Sequence, residues 1–194
     1  MKIRNLSLAL LAFTSGCAVP VGPVEVSRFS LPDSAPEAAR LGHGTIAVVA
    51  GVGMDGSSLE WQSFQIAVGQ ELARLGYAPA SYDSADQIAQ VRFSRADVAA
   101  PRPVSVGLGG STGSFGSGAG LGFSIPIGGT KRTATDLAVV IRERASGKVL
   151  WEGRAAFTVS ATSPLATTAL GAPKLAGALF SNFPGKSGET VMVP

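Results

Sequence analysis

The chain has 194 residues, 45% of them hydrophobic and 15% charged, with a formal net charge of +3. That length suits one domain with a sizeable core. The charge forms no run and no basic stripe interleaved with aromatics, which leaves no footprint for nucleic acid, and a single cysteine excludes an internal disulfide.

The chain begins with a leader pattern. Lys2 and Arg4 precede a short apolar run over residues 6–13, then Thr14, Ser15, Gly16 and Cys17. The run is too short to span a hydrocarbon core, which takes about 20 residues, and it fits the apolar region of a secretory signal. The small residues before Cys17 resemble a bacterial lipobox, with Thr14 standing where Leu, Val or Ile is usual. Residues 1–16 are therefore expected to be a lipoprotein signal peptide, and Cys17 the site of acylation, palmitate included. Cleavage would remove Lys2 and Arg4 and leave a mature chain near +1. Ala18 after the cysteine, in place of Asp, points to the outer membrane and its periplasmic face. Residues 17–23 form a tether with Pro20 and Pro23, followed by one domain over residues 24–194. After the leader, no 18-residue apolar window follows that could form a transmembrane helix.

Within the domain, residues 24–31 read as a first strand. Residues 32–44 form a loop that holds the one histidine, His43. Residues 45–52 are nearly all apolar and β-branched, as in a buried strand. Ser57-Ser58-Leu59-Glu60 is a Ser-x-x-Glu capping box. Trp61, Phe64, Val68, Leu72 and Leu75 then mark one helical stripe, read as core. Gly76 supplies the stop. Residues 87–98 read as a strand. Residues 135–144 and 149–160 form a hairpin, with Val149, Trp151, Ala155, Phe157 and Val159 on one face. Residues 164–181 predict a last helix with Leu170, Leu175, Leu179 and Phe180 as core, interrupted near Gly171 and Pro173. Residues 189–194 are a short extended tail.

Residues 101–129 stand apart, with ten glycines between Gly107 and Gly129. Val104, Val106 and Leu108 alternate with Ser and Gly on one side. Leu121, Phe123, Ile125 and Ile127 do so on the other. Period two on both flanks predicts a Gly-rich β-hairpin with one apolar face. The candidate partner surface is that face: Val104, Val106, Leu108, Leu121, Phe123 and Ile125.

The segments VSRFSL, GTIAVVAG, SSLEWQSFQIAVGQELARLGY, DLAVVIRERASGKVLWEGRA and LFSNFPGKSG resemble the bacterial lipoproteins that share the domain of unknown function 4136. The resemblance implies an envelope lipoprotein with an antiparallel sheet packed against helices, and it implies no reaction. The expected class is α+β: an antiparallel sheet of five to seven strands with two helices on one face.

Each catalytic pattern in the chain lacks a partner or a spacing. Gly109-Gly110-Ser111-Thr112-Gly113 matches Gly-x-Ser-x-Gly, but a nucleophile elbow needs a later His, and His43 lies upstream. The phosphate-loop and dinucleotide spacings fail. Cys17 and His43 alone cannot make a zinc site. Asp83 and Asp86 offer too few oxygens for calcium, and Asp55-Gly56 reads as a turn. No catalytic residue, metal or cofactor is expected. Two functions follow as expectations: a non-catalytic envelope lipoprotein that binds a protein partner or supports an assembly, or an accessory that carries an apolar envelope molecule.

Overall fold

The structure, a computed structural model, describes residues 22–32, 34–99 and 131–194. Among these residues seven strands and two helices follow one another: β1 (Val24–Ser30), β2 (Thr45–Ala50), α1 (Leu59–Arg74), β3 (Ala78–Pro79), β4 (Gln87–Ala99), β5 (Lys131–Glu143), β6 (Val149–Ser160), α2 (Thr168–Phe180) and β7 (Thr190–Val193). Single 3₁₀ turns sit at Ala38–Arg40 and Pro164–Ala166.

The strands form one sheet in the order β3-β2-β4-β5-β6-β1-β7. It is mixed, which corrects the expectation of an antiparallel sheet. β2 runs parallel to both β3 and β4, and the other pairs are antiparallel. The cause is α1: a helix after β2 carries the chain back to the end where it started, so the next strands enter in the same direction. The tail expected at 189–194 becomes β7 and adds to β1, with Val24 opposite Val193.

Both helices pack on one face. Ala89, Val91 and Phe93 of β4, Leu137, Val139 and Ile141 of β5, and Trp151, Ala155 and Phe157 of β6 alternate inward. They meet Trp61, Phe64, Val68 and Leu72 of α1 and Leu175, Leu179 and Phe180 of α2. Phe64 stacks on Phe93 at 4.3 Å between ring centroids, and Trp151 on Phe180 at 5.4 Å. The α1 stripe is thus core, as its spacing requires.

The ends of α1 are specified locally. Its cap is Ser58, whose Oγ accepts from the Trp61 N–H at 3.1 Å. The expected box began one residue earlier. Ser57 instead donates N–H and hydroxyl to Asp55 Oδ1, which makes the turn expected at Asp55. At the other end Gly76 adopts φ +104, and the N–H groups of Gly76 and Tyr77 bond back to Ala73 and Leu72.

α2 departs from expectation twice. It runs unbroken through Pro173. The N–H that proline lacks would have served Ala169, in the first turn of the helix. Leu170, expected in the core, is 51% exposed, because the buried positions 171, 172, 175, 176 and 179 lie on the opposite side of the helix.

Cys17 and the expected hairpin at 101–129, with Val104, Val106, Leu108, Leu121, Phe123 and Ile125, lie outside the described residues. Ala99 pairs with Lys131, so the chain leaves and rejoins the sheet at neighbouring positions.

Candidate functional site

Buried polar groups come first, since each must be satisfied or put to use. Arg28, on the inner side of β1, is 1% exposed. Its Nε donates to the Leu179 carbonyl at 3.0 Å. Its Nη2 donates to the Ala178 carbonyl at 3.1 Å and to Ser181 Oγ at 3.0 Å. Glu189 lies 3.7 Å from Nη1. Burial pulls the guanidinium below its ordinary pKa, and the Glu189 charge opposes that shift. The fork sits where α2 ends in unpaired carbonyls and a negative dipole. Protein groups occupy its donors, so it holds α2 to β1 and presents no open site.

A second polar group closes the end of the sheet where β4 begins. Gln87, 2% exposed, donates to the Arg40 and His43 carbonyls at 3.0 Å each, and its Oε1 accepts from the Tyr77 hydroxyl at 3.3 Å. Burial pushes the Tyr77 phenol up to about 12. Asp86 accepts from Thr45 Oγ1 at 2.7 Å and from the Thr45 N–H at 3.1 Å. These bonds hold its carboxyl below the usual range. Asp86 is thus committed to Thr45, and Asp83 does not join it. His43 contributes a carbonyl, not a ring, to the network. Among the described residues no three His, Cys, Asp or Glu side chains gather for a metal.

The two surfaces of the sandwich differ in charge. The open face of the sheet carries Glu25, Arg92, Asp136, Glu152 and Arg154 at outward positions of β1, β4, β5 and β6. Arg92 and Arg154 flank Ala138 in one row, above a depression of about 290 Å³. The outer side of the helix layer is almost uncharged. On α1 it shows Leu59, Gln62, Ser63, Ile66, Gln70 and Ala73, with Leu59 81% and Ile66 60% exposed. On α2 it shows Leu170, Pro173 and Gly177, with Lys174 as the one charge. The charges of α1 lie at its ends and are paired. Glu60 accepts from Thr168 Oγ1 and faces Arg95, and Glu71 pairs with Arg74. Between the helices runs an open groove of about 370 Å³, lined by Gln70, Arg74, Lys174, Gly177 and Pro194 among others. Sequence reasoning missed this surface. Its signal was present, as the absence of any charge between Glu60 and Glu71.

Known proteins resemble the chain in part. An uncharacterized protein of Zymomonas mobilis, ZMO1243, is 34% identical over 76 residues, which is 37% of this chain and 29% of that protein. This chain therefore spans under a third of that relative. The PelC dodecamer structure from Paraburkholderia phytofirmans superposes with a TM-score of 0.45 at 10% identity, covering 84% of this chain and 99% of that one. A PDZ domain protein from Parabacteroides distasonis gives 0.48 at 12% identity, covering 89% and 39%. Nothing about partners or assembly passes to this chain from likenesses of that size. The family model is another matter: it matches residues 38–185, from the 3₁₀ turn through β6 and α2 to Gly185, and the chain belongs to the family defined by the domain of unknown function DUF4136.

Proposed function

We propose that the chain is a cell-envelope lipoprotein, acylated on Cys17 at the periplasmic face of the outer membrane, that works by binding a protein partner rather than by catalysis. The leader pattern supports the anchor. The packed interior supports binding at a surface: the recess between sheet and helices at Phe64, Thr135, Leu165 and Ala172 has no room for a water-sized guest. An accessory that carries an apolar molecule needs a pocket of several hundred Å³, about 300 or more, in that position. The partner surface in this reading is the apolar side of the hairpin at 101–129.

Labelled palmitate and fractionation test the anchor. Label is expected in the wild type and absent in Cys17→Ser, which leaves the membrane fraction. Unlabelled wild type overturns the reading. Cross-linking in cells, with and without residues 104–127, tests the hairpin. Unchanged adducts would remove it as the binding surface.

A further inference from the structure

We infer that the outer side of the helix layer rests on the lipid bilayer, with Arg74 and Lys174 taking the phosphates of anionic headgroups in the groove between α1 and α2. The inference depends on the lipidated Cys17 of the proposed function.

The first observation is the asymmetry of charge. A helix that faces water carries charged residues on its outer side. α1 carries none there before Arg74, at its last position, and shows Leu59 and Ile66 instead. Leu170 of α2 adds a third large exposed aliphatic. Glu60 and Thr168 are in contact, so the two helices begin side by side and present their outer faces together. The open sheet face, on the other side of the molecule, carries Glu25, Arg92, Arg132, Asp136, Arg142, Glu152 and Arg154 at its outward positions, so that its exposed Phe29, Val98 and Met192 stand among charges. A bilayer surface divides a protein in this way, with aliphatic and small side chains against the headgroups and charge towards water.

The second observation is where the tether enters. Val24, at the start of β1, pairs with Val193. Pro194, the next residue, lines the groove, and its carbonyl accepts from Lys174 Nζ. The chain therefore joins the domain at the rim of the groove. Cys17 stands five residues before Gly22, a reach of about 18 Å when extended. With its acyl chains in the membrane, the surfaces beside that rim are held at headgroup depth.

The third is the chemistry of the groove. Lys174 and Arg74 reach its edge, and Glu71 is neutralised by Arg74. The three side chains sum to one positive charge, and a phosphate would have to compete with Glu71 for Arg74 and with the Pro194 oxygen for Lys174.

The full-length acylated protein, reconstituted in phosphatidylethanolamine–phosphatidylglycerol vesicles, tests this. Cys17 is acylated, so a cysteine placed by Ile66→Cys takes a fluorophore alone. Arg154→Cys labels the open sheet face as a control. Nitroxide on the lipid headgroup is expected to quench the label at position 66 at least threefold more than the label at 154. Equal quenching in vesicles that carry the floated protein overturns this inference and leaves Cys17 standing. Failure to float overturns the anchor and the inference with it. A photo-cross-linker at position 66 that couples to protein rather than lipid in intact cells assigns the face to a protein and also overturns it. Lys174→Glu with Arg74→Glu is expected to lower quenching at position 66 on phosphatidylglycerol vesicles and to change little on neutral ones. Loss of no quenching on the anionic vesicles removes the phosphate role.

Discussion

The Trp151 indole lies across Gly153, two residues further along β6, so closely that a Cβ at position 153 would stand 2.3 Å from the ring. Leu179 of α2 closes the same space at 2.8 Å. The missing side chain is what lets the Trp151 ring lie flat between sheet and helix, with its Nε1 donating to the Pro184 carbonyl at 2.8 Å. Gly153→Ala must displace the ring or the helix, and is expected to cost about 2 kcal/mol. Denaturant midpoints will measure it, and Trp fluorescence will report the displaced indole.

Arg28 makes a second prediction. Arg28→Met leaves the Leu179 carbonyl and Ser181 Oγ without their buried donor, while the Ala178 carbonyl keeps the Ser181 hydroxyl and N–H. The expected loss is about 2 kcal/mol, the cost of leaving a buried acceptor unpaired. Arg28→Lys restores the charge but not the fork, and should recover less than half. Urea melts of the three proteins decide it.

The cap of α1 can be located by substitution. Ser58→Ala is expected to destabilise by about 1 kcal/mol, and Ser57→Ala by a few tenths, about 0.3. A larger loss for Ser57→Ala than for Ser58→Ala would return the cap to Ser57.

Stability should fall at both ends of the pH range. The Asp86 carboxyl is held below its ordinary 3.8 by Thr45. The folded state thus favours the ionised form, and its contribution is complete above about 4 and lost as the pH falls through the folded value. Asp86→Asn should flatten the acid limb of a plot of Tm against pH. Tyr77 has the opposite sign. Burial raises its phenol from 10.0 to about 12, so the folded chain keeps a proton that the unfolded chain releases. Stability is complete below pH 10 and declines between 10 and 12. Tyr77→Phe should remove that decline, and ultraviolet titration should show one phenol ionising late.

Much of the fold was legible because the patterns involved are local. The α1 stripe, the Gly76 stop and the hairpin of β5 and β6 each follow from spacing within about a dozen residues. What escaped depends on relations between elements. The direction of β4 is set by α1 lying between it and β2, and β3 is a strand only because Thr45 and Ile46 lie beside it. Leu170 scored as core by composition, but the side of α2 that is buried is set by β1, β5 and β6. Ser57 and Ser58 are equivalent in a capping pattern, and the bond from Ser57 to Asp55 separates them. The helix surface near the groove was hidden for a different reason. A reading that looks for charged or reactive residues passes over a stretch defined by lacking them.

The pairing of Ala99 with Lys131 has a consequence for how such a chain can change over time. The two strands remain in register along all thirteen residues of β4, and whatever connects them begins and ends at one spot on the sheet. The strand pairs of β4 and β5 are complete from Gln87 to Ala99 whatever the length of that connection, and each doubling of its length adds only about 0.6 kcal/mol of closure entropy. The cost of closing the connection therefore sets almost no limit on how long residues 100–130 could become.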